Sequence, residues 1–457
     1  MERFDENIFS KGTEEEQKKR ETLRKRFTTV SGVLLLLVAA ALFLSKSEYV
    51  KNKIALLSDA EHYFVFVEKK AAQGRNDTLL DWLDAERKQI KATGRLHTTK
   101  SLTATASAET LLRELLQLSG AVAGEAQAQA MLVRTDGAFG IKGELSYAGE
   151  TYPFGLLYRD AVCTVRNPVT GKTEQTVSEW KPLLSLEKLL TGKNGERRQL
   201  KKLLEQYESR LFTELSGAGV TMEKKVVRSI ASHVAYQNRL QLTVTGEQLA
   251  QTVRVLAAEA EEEDALRQLY ETAKTGTASY EEVLSELRQL PWETVSELSA
   301  TLYVDNYGTV TGRQIRLLLD GQTIEFGYGY VRNSDSVGWE LYLRRNEEEL
   351  LSCLGHGELD GLCVTGEVTV TFPVAGEPQE LVVSLKDFGI LDLVSGKLTG
   401  DIRIVSELFR GVSFQISVQS DPTMQQVELD AVYGGVSQWN LRIVTEDAEP
   451  QELPELP

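Results

Sequence analysis

Apolar and polar side chains alternate with period two, run after run, through residues 297–445. Leu298/Ala300/Leu302/Val304, Ile324/Phe326/Tyr328/Tyr330 and Val337/Trp339/Leu341/Leu343 set the pattern. Val368/Val370/Phe372/Val374, Val412/Phe414/Ile416/Val418, Val427/Leu429/Ala431/Tyr433 and Trp439/Leu441/Ile443 continue it. Asn306-Tyr307-Gly308, Asp320-Gly321 and Tyr433-Gly434-Gly435 punctuate the runs as tight turns. Such alternation with short links predicts an antiparallel meander of about ten strands with one apolar face. A sheet of that width must curve, and its apolar face needs a cover.

The period changes to 3.6 over residues 180–291. Leu200, Leu203, Leu204, Tyr207, Leu211 and Phe212 form one stripe that ends before Gly217. Thr245-Gly246-Glu247-Gln248 reads as a capping box opening a helix with Leu249, Val253, Leu256 and Ala260. The register then shifts to Leu266, Leu269 and Tyr270, so a break is expected near 261–264. Ser279-Tyr280-Glu281-Glu282 starts another helix, which Pro291 ends. These helices are the expected cover of the sheet.

Upstream, residues 95–180 read as a first β-rich block with turns at Asp136-Gly137 and Ala148-Gly149. A helix fits 108–118 behind Ser107. Residues 47–93 read as helical, with Tyr63, Phe66 and Val67, then Leu79, Leu80, Trp82 and Leu83, at helical spacing. This segment is either a stalk or a helix that meets a partner or lipid surface. The acidic, proline-rich stretch 446–457 is expected to be disordered.

Residues 27–45 contain no charge. Nineteen residues at about 1.5 Å each span roughly 28 Å, the thickness of a bilayer core. Lys18, Lys19, Arg20, Arg24, Lys25 and Arg26 precede them, against the more dispersed Lys46, Lys51 and Lys53 after them. The stronger positive flank stays in the cytoplasm, which predicts an N-in, single-pass signal anchor in the cell membrane. A cleaved signal peptide with a site at Ser45-Lys46-Ser47 is the competing reading. The expected division is therefore a cytoplasmic tail (1–26), a transmembrane helix (27–45), a helical stalk (46–94), a first α+β region (95–292), a β-sheet region (293–445) and an acidic tail (446–457). The fold class is α+β: a large curved antiparallel sheet covered by helices and tethered by one N-terminal transmembrane helix.

The net charge is −16. With 8 basic and 7 acidic side chains in residues 1–26 and none in 27–45, the residues beyond the expected anchor carry a net charge of about −17. That surface repels phosphate backbones, so nucleic acid is not an expected partner. Three cysteines are too few for a disulfide-built extracellular module, and a low-cysteine domain behind a plain anchor leans bacterial.

The paired-helix stretch GEQLAQTVRVLAAEAEEEDALRQLY, then SYEEVLSELRQL, feeding a long meander, resembles the LolA/LppX-type lipoprotein-carrier fold over residues 240–445. That resemblance implies a curved sheet and helices enclosing an apolar cavity for lipid or acyl chains. It carries no functional residue across. Separately, DAEHYFVFVEKK is similar to segments just outside the anchor of bacterial membrane-anchored proteins.

Four groupings suggest chemistry. Ser185-Leu186-Glu187-Lys188, Tyr236-Gln237-Asn238 and Lys274-Thr275-Gly276 match the three motifs of penicillin-binding proteins and serine β-lactamases, in order. Against this, Lys274-Thr275-Gly276 falls where one helix ends and Ser279 caps the next. Cys353, His356 and Cys363, with Glu358 or Asp360, suggest a metal site, but no second paired motif accompanies them. A Cys353–Cys363 disulfide and free thiols are the other readings, and Cys163 reads as a small core residue. Glu259–Asp264 lacks the alternation of a calcium loop. Asn76-Asp77-Thr78 is a glycosylation sequon. His62, His97, His233 and His356 are scattered. No catalytic, cofactor or metal-binding residue is assigned. The expected function is non-catalytic binding or scaffolding at the cell envelope, with an apolar ligand, a lipid or an envelope protein as partner. A serine hydrolase using Ser185 and Lys188, and an interaction module with a filled core, are the alternatives.

Overall fold

The computed structural model describes residues 47–107, 125–177, 183–392, 397–421 and 423–456. The expected membrane helix 27–45 and the expected helix 108–118 lie outside them. Among the described residues no helix is long and apolar enough to cross a membrane.

Seven helices are described: α1 (Glu48–Ala55), α2 (Ala60–Thr93), α3 (Leu186–Thr191), α4 (Arg197–Ser216), α5 (Gly246–Glu262), α6 (Asp264–Ala273) and α7 (Tyr280–Gln289). The first strands are β1 (His97–Ala106), β2 (Ala126–Thr135), β3 (Ala138–Tyr147), β4 (Glu150–Arg159), β5 (Val162–Arg166), β6 (Thr173–Val177), β7 (Val220–Ile230), β8 (His233–Val244) and β9 (Val295–Val304). The meander continues through β10 (Val310–Leu319), β11 (Gln322–Arg332), β12 (Ser336–Arg345), β13 (Glu348–Asp360) and β14 (Cys363–Val374). It ends with β15 (Glu377–Asp392), β16 (Lys397–Val405), β17 (Val412–Ser420), β18 (Met424–Tyr433) and β19 (Val436–Asp447).

These strands form one sheet, not two. Every pairing is antiparallel, and β1 joins the two halves by pairing with both β2 and β19. The spatial order is β6 to β1, then β19 down to β7. The expected boundary at 292/293 therefore divides no structure, because β8 pairs directly with β9. The meander holds eleven strands from β9 on. Both outer strands discourage further pairing. β6 is short and polar, and β7 breaks register between Glu223 and Val226, with Lys225 in the left-handed region at φ 60°.

The helix signals act where they were expected. Thr245 and Ser279 both form capping boxes, and Glu263 separates α5 from α6. The expected stalk is, from Ala60 on, a structural helix of the domain. α2 buries Tyr63, Val67, Leu80, Leu83 and Ile90 along one stripe, because their spacing offers an apolar face that water would otherwise meet. Its second half packs with Leu96, Leu190 and Leu200. Residues 47–59, with Asn306–Gly308, form a separate small unit. Within it the Asn52 side chain donates to the Asn306 carbonyl at 3.0 Å, and the rings of Tyr49 and Tyr307 meet edge-on.

The helices cover less of the sheet than the sequence suggests. They pack chiefly on one another and over β7, β8 and β9, and Leu240, Leu242, Val244 and Leu302 of β8 and β9 are fully buried. On the opposite face, the β7 side chain Arg228 lies across β10–β12. Its guanidinium sits 4.0 Å from the Tyr303 ring centre and donates to Glu340 at 2.7 Å. It rests on Gly312 and Gly329, a directly opposed pair. A methyl group at either would lie within about 2.1 Å of the guanidinium, so glycine there lets Arg228 lie flat on the sheet.

Two ion pairs pin α2 to the sheet. Arg313 of β10 donates bidentately to the buried Glu68 carboxylate, both distances 2.6 Å, and Arg134 of β2 reaches Glu86 at 3.3 Å. Burial opposes the charge on Arg313, but the Glu68 carboxylate outweighs it and holds the guanidinium pKa above its usual value. Breaking a buried pair strands a desolvated charge. Glu68→Ala should therefore cost about 3–5 kcal/mol in urea denaturation, against less than about 1 kcal/mol for the exposed Asp81 partner of Arg197.

Candidate functional site

The apolar face that begins under the helices at β8 and β9 continues without a break in parity across the meander. One row runs through Tyr330, Trp339, Gly355, Val368, Val383, Ile404, Phe414, Ala431 and Trp439, each directly opposite the next. Neighbouring rows carry Tyr328, Leu341 and Val370 on one side and Leu385, Ile402, Ile416, Leu429 and Leu441 on the other. This is the face that alternation predicts. Yet on β11–β19 only Val418 and Ala431 among its apolar side chains are buried, and Phe326, Tyr328 and Tyr330 keep 36–38% of their surface. The face is half-wet where a filled core would leave it dry.

Geometry makes this face concave. Arg313 and Arg134 both belong to it, since Arg313 pairs with Tyr328, and Arg134 lies opposite Thr98, in parity with Leu102 and Ala104. The ion-paired carboxylates, Glu68 and Glu86, are eighteen residues apart on one helix, a straight distance of about 27 Å. Between β10, which carries Arg313, and β2, which carries Arg134, lie eleven inter-strand steps, a contour of about 53 Å. A straight rod touching the same face at both ends of a longer contour requires the sheet to bow away from it. The ratio, about 2, exceeds that of a semicircle. The result is a gutter whose rim α2 crosses.

The gutter is chemically plain. Burial raises the pKa of the Tyr330 hydroxyl and of the Cys353 thiol, so both stay protonated at neutral pH. An apolar lane about nine strands wide and three to four inward residues long covers on the order of 900 Å². That is beyond the few hundred Å² usual for a patch on a monomer.

The motif residues go elsewhere. Ser185 and Lys274 do come together, because Leu184 bridges Lys274 and the Ser185 amide donates to the Ala273 carbonyl at 2.6 Å. Their side chains serve other ends. The Ser185 hydroxyl caps α3 by accepting from the Lys188 amide at 3.1 Å and donates to the Asp136 carboxylate, which also accepts from the Leu186 and Glu187 amides. Lys274 is paired with Glu271 at 2.6 Å, which raises its pKa and lowers that of Glu271, so it stays an ammonium and is a poor base. Tyr236 and Asn238 are on β8, with Tyr236 largely exposed.

Cys163, Cys353 and Cys363 are free thiols. Cys353 lies opposite Val370 and Cys363 opposite Asp360, seven positions apart along β14, too far for a disulfide. Among the described residues no group of three or more His, Cys, Asp or Glu side chains forms a metal-binding cluster. In the acidic run, Glu261 is taken up by Arg288, and Glu263 caps α6. Asn76 is buried and donates to Glu208 at 2.5 Å, which leaves no room for a glycan. His97 is buried against Thr99, His233 is held by Ala231 and Ser336, and His356 is exposed on β13.

No protein-family model matches the sequence, and no curated protein matches it.

Ser185→Ala should remove a helix cap and destabilise the protein by about 1 kcal/mol, while a fluorophosphonate probe leaves the unmodified chain unlabelled. Labelling at Ser185 would instead reveal a nucleophile. The Cys353 thiol, its pKa raised by burial, should alkylate at pH 8 more slowly than free cysteine, since less of it is thiolate.

Proposed function

We propose that the protein is a membrane-anchored, extracytoplasmic carrier or holder of apolar chains, with the β11–β19 gutter as its binding surface. The observation that carries this reading is the half-exposed, continuous apolar lane on a concave face. A solid interaction module would fill or cover that face. Backbone groups within the gutter are already paired strand to strand, so an occupant gains contact area and dehydration there but few new hydrogen bonds. Hydrocarbon suits such a surface better than peptide does. At about 25 cal/mol per Å², even 300 Å² of newly covered apolar surface is worth roughly 7 kcal/mol before the entropic cost of association.

The uncharged run 27–45 supplies the expected tether, and its flanking lysines and arginines the N-in orientation. A protein fixed beside a bilayer meets lipid at high local concentration, which suits a surface of this chemistry. The likeness of residues 240–445 to lipoprotein-carrier folds points the same way, at the level of fold alone.

Native mass spectrometry of the full chain, released from mild detergent, should reveal co-purified lipid. Val383→Glu and Ile404→Glu, on adjacent strands in the lane, should each weaken binding of a fluorescent fatty-acyl probe at least tenfold while leaving the far-UV circular dichroism unchanged. Absence of both lipid and probe binding in the unmodified chain would sink the carrier reading, and a stoichiometric protein in its place would favour a scaffold.

A further inference from the structure

The acidic stretch after β19, expected to be disordered, is instead held across the outer face of β1–β4. The Ala448 amide donates to the Thr99 carbonyl at 3.0 Å, and the Gln451 amide to the Thr99 hydroxyl at 3.0 Å. Glu452 pairs with Arg95 at 2.9 Å. Pro454 then lies on Gly140 of β3 and Leu456 on Gly155 of β4, with Lys142 between them reaching the Glu455 carbonyl at 3.5 Å. A methyl group at Gly140 would come within 2.5 Å of Pro454, and one at Gly155 within 2.3 Å of Leu456. The two glycines are the floor of the seat.

The resident's sequence suits this seat. Glu452-Leu453-Pro454 is followed by Glu455-Leu456-Pro457, a three-residue repeat that matches the turn of polyproline II. Glu452 and Glu455 are exposed, while Leu453, Pro454 and Leu456 are half-buried. Acidic side chains thus face water and apolar ones face the sheet. A prolyl segment is already extended and loses little entropy on docking. The contacts are nevertheless few and shallow, and a recess of about 420 Å³ next to Leu456, lined in part by Lys142, Arg166, Glu144 and Phe154, is unfilled by it. A groove with a spare end, in which two cations outnumber one carboxylate, and a weakly held resident is built for exchange.

We propose that the outer face of β1–β4 is a docking groove for extended acidic Leu-Pro peptides, and that residues 448–456 are its exchangeable resident. A partner presenting a segment of that chemistry displaces the strap and takes its place. This groove is on the face opposite the apolar gutter, so its occupancy is independent of lipid binding.

The test uses the full chain in mild detergent and a fluorescein-labelled peptide of residues 448–457. With the strap loosened by Pro454→Asp and Leu456→Asp, the peptide should bind at least tenfold more tightly than it binds the unmodified chain. Gly155→Val in that loosened chain should abolish the gain. Equal binding to the loosened and unmodified chains, or a gain indifferent to Gly155→Val, overturns the proposal. A second arm needs no substitution. A tethered segment competes at about millimolar effective concentration, so several millimolar unlabelled peptide should speed hydrogen exchange at the Gln451 amide of the unmodified chain severalfold. Unchanged exchange there also overturns it.

Discussion

One helix held at both ends sets the shape of this protein. Glu68 and Glu86 bind arginines on strands that are eleven steps apart along the sheet but only about 27 Å apart along the helix. A sheet twists of its own accord, but twist alone does not choose which face becomes concave. The α2 chord does. With both arginines on the apolar face, the bow turns that face inward.

Other features follow from that constraint. Helices α4 and α5 pack on β8 and β9, which have a dry core, and β11–β19 do not. The β7–β8 hairpin folds onto the outer face instead, where Arg228 lies over paired glycines. Strand stability in the meander then comes mainly from paired neighbours and half-burial. Such strands retain apolar surface that a ligand can still cover. In this respect the protein resembles an unfinished core more than a completed one.

Both faces of the sheet carry a seat, and they differ in kind. The inner one is broad, apolar and poor in hydrogen-bonding groups. The outer one, on β1–β4, is narrow and built from glycine floors, one threonine and a few cations. The first suits an occupant recognised by area, the second one recognised by backbone direction and side-chain spacing. Asp136 and Ser185 illustrate how polar residues away from these seats are spent on architecture: a hairpin turn caps a helix fifty residues away in the chain.

Local signals made most elements legible. The capping boxes at Thr245 and Ser279, the break at Glu263, the glycine turns and the period-two strands all act within a few residues, so their chemistry is written in consecutive letters. Three outcomes were not legible in that way. Alternation shows that a face is apolar but not whether anything covers it, because cover depends on where the helices stop, and that depends on α2. The segment 446–457 has the composition of disorder, and its order comes from Thr99, Gly140 and Gly155, more than three hundred residues before it. Ser185 and Lys274 belong to a sequence that matches a catalytic pattern letter by letter, but Asp136 and Glu271 decide what their side chains do. Sequence by itself determined the elements and the identity of the apolar face. Only the tertiary structure decided that the face is a concave, half-open gutter, because curvature arises from two ion pairs joining points far apart in the chain.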